Sequence, residues 1–142
     1  MRIVHLVNHC VHGGNVMVPV DLACIQAAAG HSVIYASAGG RYQPLLESSG
    51  VRHVTLEQSL RNPLTAASSF KTLFNLCREF KPSVLHAHMM SGAVIGYGVS
   101  RLLHIPLVTT VHNSFDRHSR LMRLGDQVAA VSDVEARLLL DR

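Results

Sequence analysis

Two apolar runs of this chain end in histidine: Val84-Leu-His-Ala-His88 and Leu107-Val-Thr-Thr-Val-His112. A histidine leaving a buried strand into a polar turn, as His112 does into Asn113-Ser114, has the chemistry to bond a ligand hydroxyl or shuttle a proton near neutral pH. The plainer reading is a ring satisfied by loop backbone, and the sequence leaves both open. Side-chain alternation puts His86 on the face of His88 but deeper, where a hydrogen-bonded structural histidine is the simpler expectation. His86, His88 and His112 together suggest a metal. No carboxylate or cysteine accompanies them in the same turns, however, and zinc sites show a fuller ligand set with outer partners. No metal is therefore expected. Neither a Ser-His-Asp order nor a nucleophile elbow is present.

A second candidate is Gly13-Gly14, between the first apolar run and the first amphipathic segment. Missing side chains there let a phosphate or sugar approach backbone N–H groups at a helix N-terminus. The dinucleotide pattern G-x-G-x-x-G and a Walker lysine are both absent, so the pair reads equally as a structural turn and as a ligand loop. A third is the run Arg117, His118, Arg120 and Arg123, interleaved with Phe115, Leu121 and Met122. It suits either a solvated basic face or a peripheral contact with anionic lipid.

The elements that position these residues follow from hydrophobic pattern. Arg2 to Val7, Ser32 to Ala36, Val51 to Leu56, Val84 to Ala87, Leu107 to Val111 and Gln127 to Val131 read as six strands. Helices are expected between them. One opens at Val16 and is capped by Gly30, with Pro19 tolerable only in its first turn. Another follows Asn62-Pro63, with Ala66, Phe70, Leu73, Phe74 and Cys77 on one stripe. A third is capped by Ser91, and its Gly92, Gly96 and Gly98 let it lie close on the sheet. Ser132 to Glu135 forms a capping box before the last helix. Near-continuous apolar strands alternating with helices imply an α/β fold, a Rossmann-like doubly wound parallel sheet with helices on both faces and default order 3-2-1-4-5-6. Ligands of such sheets sit outside the carboxyl ends of the strands, where His88 and His112 fall on adjacent ends. Expected core members are Ile3, Leu6, Leu22, Val33, Val54, Phe74, Leu85, Val108 and Val131.

With 142 residues, 48% hydrophobic side chains and 15% charged ones, the chain suits one domain, residues 1–142, with a core of its own. Apolar stretches are interrupted well before the roughly 18 residues of a spanning helix, so neither a signal peptide nor an anchor is expected. Three cysteines without paired spacing fit a reduced, cytoplasmic protein. The net charge of +4 fits an anionic ligand or an acidic membrane surface. An aromatic content of 5% without a nucleic-acid-reading motif argues against nucleic acid.

Taken in order, Arg2-Ile-Val-His-Leu-Val, Gly13-Gly14, Ala29-Gly-His-Ser-Val, Pro82-Ser-Val-Leu-His-Ala-His, Ile105-Pro-Leu-Val-Thr-Thr-Val-His-Asn and Val128-Ala-Ala-Val-Ser resemble the N-terminal half of family four, retaining GT-B glycosyltransferases. The resemblance spans nearly the whole chain, with no single motif specific. It implies an acceptor-side domain of an enzyme transferring a sugar from a nucleotide-sugar to a hydroxyl of a glycan, lipid or polysaccharide precursor, with retention and no metal cofactor. By resemblance Gly13 and Gly14 approach the donor diphosphate, and His112 contacts the donor sugar and supports transfer. His88 lines the cleft, Asn113 follows the catalytic histidine as a binding residue, and Ser132 opens the helix after the sixth strand at a binding position. The resemblance also implies a C-terminal nucleotide-sugar-binding half, supplied in cis or by a partner chain. Without it the 142 residues are expected to be inactive. The implied location is cytoplasmic, with peripheral attachment to the inner face of the membrane as a variant. Fold alone does not separate this enzyme from a non-catalytic binding or assembly module or one subunit of a split transferase.

Overall fold

A computed structural model describes residues 1–11, 13–112 and 117–140. Asn113 and Phe115 lie outside them. Six parallel strands form one sheet: β1 (Arg2–Leu6), β2 (Ser32–Ser37), β3 (Arg52–Thr55), β4 (Val84–Ala87), β5 (Leu107–Val111) and β6 (Gln127–Ala130), in the order β3-β2-β1-β4-β5-β6. This is the doubly wound order expected from the apolar runs. The order in which strands are added reverses between β1 and β4, so the loops leaving those strands part and open a crevice.

The strands' two faces bury two clusters. On one side α1 (Gly14–Ala28) and α2 (Gln43–Ser48) set Val16, Val20, Ala23 and Leu46 against Val33 and Tyr35. On the other, α3 (Pro63–Phe80) and α4 (Met90–Leu103) set Leu73, Cys77, Ala93, Ile95 and Val99 against Val4, Leu6, Leu85 and Leu107. α4 lies close on the sheet as its glycines suggested: a Cβ on Gly92 would come within 3.2 Å of the Leu6 Cβ, and one on Gly96 within 2.8 Å of Leu6 Cδ1. Gly98 instead makes room for Phe70 of α3, 2.8 Å from where its Cβ would be.

Several local expectations are corrected. α1 starts at Gly14, two residues before Val16, which puts Pro19 past the first turn and inside the helix. Pro19 is buried there, and its missing N–H leaves the Asn15 carbonyl without a helical donor. The cap of α4 is Met89, not Ser91, whose hydroxyl is drawn instead to Asn8. Val131 was expected in the core but is 48% exposed. It lies past the end of β6, an edge strand with no neighbour beyond it. Leu22, Val54, Phe74 and Val108 are only half-buried, whereas Ile3, Leu6, Val33 and Leu85 are buried as expected. The helix expected after Asn62-Pro63 is capped by Asn62, which accepts from Leu64 N–H at 2.9 Å; of the expected caps, Gly30 follows α1 with φ +85°, and the Ser132 hydroxyl accepts from Glu135 N–H at 3.2 Å. The three cysteines are free.

α5 (Asp133–Leu140) follows β6, and the α1 side of β4 and β5 carries no helix of its own among the described residues. His86 and Val108, adjacent in register on β4 and β5, are accordingly only half-buried.

Candidate functional site

The strands align the histidines as rungs. His5 of β1 is level with His86 of β4, and His88 and His112 follow directly after β4 and β5. Alternation then sets His5, His86, His88, Thr110 and His112 on one face of the sheet. His5 Nε2 lies 2.7 Å from Gln26 Oε1, on α1. His5 Nδ1 lies 3.0 Å from His88 Nε2, and His88 Nδ1 lies 3.4 Å from His112 Nε2. His86 pairs separately, its Nε2 2.7 Å from Thr110 Oγ1, as a structural histidine would.

Burial keeps these rings neutral. His5 is lowered to about 4 by burial, with the Gln26 bond opposing weakly. His86 falls to about 3 through burial and then the neighbouring His5 and His112. His88 falls well below 6.5 through burial and then through His86, His5 and His112. His112, half-buried, is lowered by burial alone.

His5, His86 and His88 are the group among the described residues whose nitrogens approach metal-ligand spacing, within 4.8 Å of one another. Their arrangement is that of hydrogen-bonded rings. The 3.0 Å between His5 and His88 is an N–H···N distance, the planes tilt by only 28° to 39°, and no carboxylate belongs to the group.

His88 and His112 open onto a cavity of about 570 Å³ outside the carboxyl ends of β1, β4 and β5. Its polar wall includes Asn8, Asn15, Ser91, Arg61 and His118, with no carboxylate among the described lining residues. Met89, Met90, Leu121 and Met122 supply an apolar wall. The hydroxyl of Ser91 donates to Asn8 Oδ1 at 2.7 Å, clasping the first turn of α4 to the exit of β1. Ser119 Oγ is buried without a partner among the described residues.

The N-terminus of α1 flanks this crevice. Gly13 is its cap with φ +122°, and a Cβ on Gly14 would meet nothing within 4 Å, so the two glycines are exposed. The loop is held from behind, where Cys10 N–H donates to Gly39 O at 3.1 Å and Ala38 N–H to Asn8 O at 3.0 Å. Gln58, which sequence reasoning missed, reinforces it: buried, it donates through Nε2 to Val7 O at 2.8 Å and Ala36 O at 2.9 Å. Ser132 sits at the N-cap of α5, exposed and outside the cavity wall.

The basic run forms a 3₁₀ helix over Arg117–Leu124. Met122 is buried in the core, Leu121 is half-buried, and Arg123 donates to Leu139 O at 2.9 Å. Of the apolar residues that would enter lipid, Met122 is therefore committed to the core and Leu121 to the cavity wall. Among the described residues no helix is long and apolar enough to cross a membrane.

A six-stranded Rossmann-like sheet with its crevice at the β1/β4 switch matches one half of the GT-B glycosyltransferases. The chain belongs to the family described as Glycosyltransferase Family 4, which its residues 12–142 match. Among solved structures, a glycosyltransferase from Rickettsia africae superposes with TM-score 0.83 at 19% identity, over 99% of this chain and 39% of that one. HepE of Anabaena, in complex with UDP and glucose, gives 0.76 at 18% identity, over 99% and 41%. MurG of Acinetobacter baumannii gives 0.73 at 16% identity, over 94% and 42%. The chain thus spans about two fifths of the length of these structures. No protein of curated function matches the sequence.

Proposed function

We propose that this chain is the acceptor-side half of a two-domain glycosyltransferase that moves a sugar from a nucleotide-sugar to a hydroxyl acceptor with retention. The observation that carries the reading is His112, at the carboxyl end of β5, lining a cavity beside the N-termini of α1 and α4 that has no carboxylate among its described lining residues. Helix N-termini favour negative charge. The exposed backbone at Gly13 and Gly14 suits the donor diphosphate, and His112 suits a sugar hydroxyl. HepE, similar in fold, is in complex with UDP and glucose, which supports a sugar nucleotide as the ligand of this crevice. The base and ribose would be held by a second Rossmann-like half. Asn113 and Ser132 are retained as binding residues of this reading, with Ser132 acting from the α5 terminus. No metal is required.

Calorimetric titration of the 142-residue chain with UDP-glucose tests it. Weak binding is expected, because only the diphosphate and sugar side of the site is present. Submicromolar affinity, about −8.2 kcal/mol or better, would mean that the site is complete here and the two-half reading is wrong. Joining the chain to its second half should produce sugar transfer. A joined protein that binds nucleotide-sugar but transfers nothing would identify a binding module.

A further inference from the structure

The rings of His5, His88 and His112 form one hydrogen-bonded chain that ends at Gln26. An amide oxygen only accepts, so His5 must carry its proton on Nε2 to donate to Gln26 Oε1, 2.7 Å away. Burial keeps His5 and His88 neutral near pH 7, and a neutral imidazole has one N–H and one bare nitrogen. His5 Nδ1 is therefore an acceptor, and His88 must present Nε2–H to it across 3.0 Å. His88 Nδ1 is then bare, and His112 must present Nε2–H to it across 3.4 Å. Each step leaves the next ring no choice of tautomer.

We propose that Gln26, joined to His112 through the rings of His5 and His88, is a positioning residue that fixes His112 in its Nε2–H form and so leaves its other ring nitrogen, Nδ1, as a hydrogen-bond acceptor. An acceptor nitrogen receives a bond from a hydroxyl and offers none to a phosphate oxygen. His112 thereby selects a sugar hydroxyl over a diphosphate oxygen at its position, while backbone N–H groups at the α1 terminus take the anion. This second step rests on the glycosyltransferase reading above; the tautomer chain does not. His86 stands outside it, since its Nε2 is engaged with Thr110.

The test is two-bond ¹H–¹⁵N correlation NMR of the histidine-labelled 142-residue protein at pH 7.5, which distinguishes protonated from bare ring nitrogens. Nε2–H is expected at His5, His88 and His112 alike. Gln26→Glu keeps an acceptor at the end of the chain and should preserve the pattern, whereas Gln26→Met should turn His112 into a tautomer mixture without loss of folding. A protonated Nδ1 at His112, or unlike tautomers at the three rings in the unmodified protein, would overturn the proposal whatever the variants do. Titration with UDP-glucose and with UDP then reads the ligand half. His112 ring signals are expected to shift with UDP-glucose and not with UDP. An equal response to both would overturn hydroxyl selection, and an intact tautomer chain with no response to either would count against the glycosyltransferase reading itself.

Discussion

Nε2 of His112 sits 3.4 Å from Nδ1 of His88, across the gap between the ends of β5 and β4. That bond joins a ring lining the cavity to a ring that is only 3% exposed. His112 is thus oriented from behind by the fold while its other edge is open to chemistry, an arrangement in which a second group holds the reacting one in place.

Acid should unfold this protein through its buried histidines. Folded His5 is lowered from 6.5 to about 4, and His88 well below 6.5, both chiefly by burial. Above about pH 6.5 both folded and unfolded states are neutral and nothing is lost. Below it the unfolded chain takes up protons that the folded one refuses, so stability falls by about 1.4 kcal/mol per pH unit for each such ring. Urea unfolding between pH 7.5 and 4.5 should show this decline. A flat profile would mean that these rings are charged or solvated in the folded state.

The two glycines of the first loop should separate. Gly13 adopts φ +122°, ψ 151°, a region open essentially to glycine, so Gly13→Ala should cost on the order of 1–3 kcal/mol. A Cβ on Gly14 has open space and Gly14→Ala should leave stability within about 0.5 kcal/mol. Thermal unfolding of the two variants reads the difference. Equal and large losses would show that the loop is rigid throughout and poorly suited to admit a ligand.

Zinc should not stabilise the fold. His5 and His88 share a proton at 3.0 Å, and a metal would have to displace it and re-aim rings tilted by only 28°. A real site saturated at 100 times its Kd would add about 2.7 kcal/mol. Melting with added zinc or with chelator is expected to be unchanged, and a zinc-dependent rise of that size would make His5, His86 and His88 a metal centre.

The strand order was readable because each apolar run was bounded by turn residues, and because a parallel sheet buries its strands on both faces. Placement within elements was less so. Ser91 has a capping residue's chemistry but spends its hydroxyl on Asn8, 83 residues away, a choice no local pattern encodes. Val131 continued an apolar run, yet it bonds Val111 only through its backbone N–H, and among the described residues no strand lies beyond β6 to bury its side chain. His88 and His112 were found through their places at strand ends. His5 was missed because it sits inside an apolar strand, and only the pairing of β1 with β4 sets it level with His86. Alternation together with the switch-point order contained that signal. The Gln26 contact did not follow from either, because it depends on how α1 rotates over the sheet.

The most direct measurement of the central claim replaces His112 with alanine and reads two quantities. His112 is half-buried and holds one long side-chain hydrogen bond among the described residues, so unfolding of the 142-residue chain should shift by about 1 kcal/mol. Transfer from nucleotide-sugar by the protein completed with its second half should fall by about 10²-fold or more per folded molecule, the scale of a lost proton relay or ligand-directed bond. A large loss of stability with transfer per folded molecule unchanged would make His112 a structural histidine and contradict the site described above.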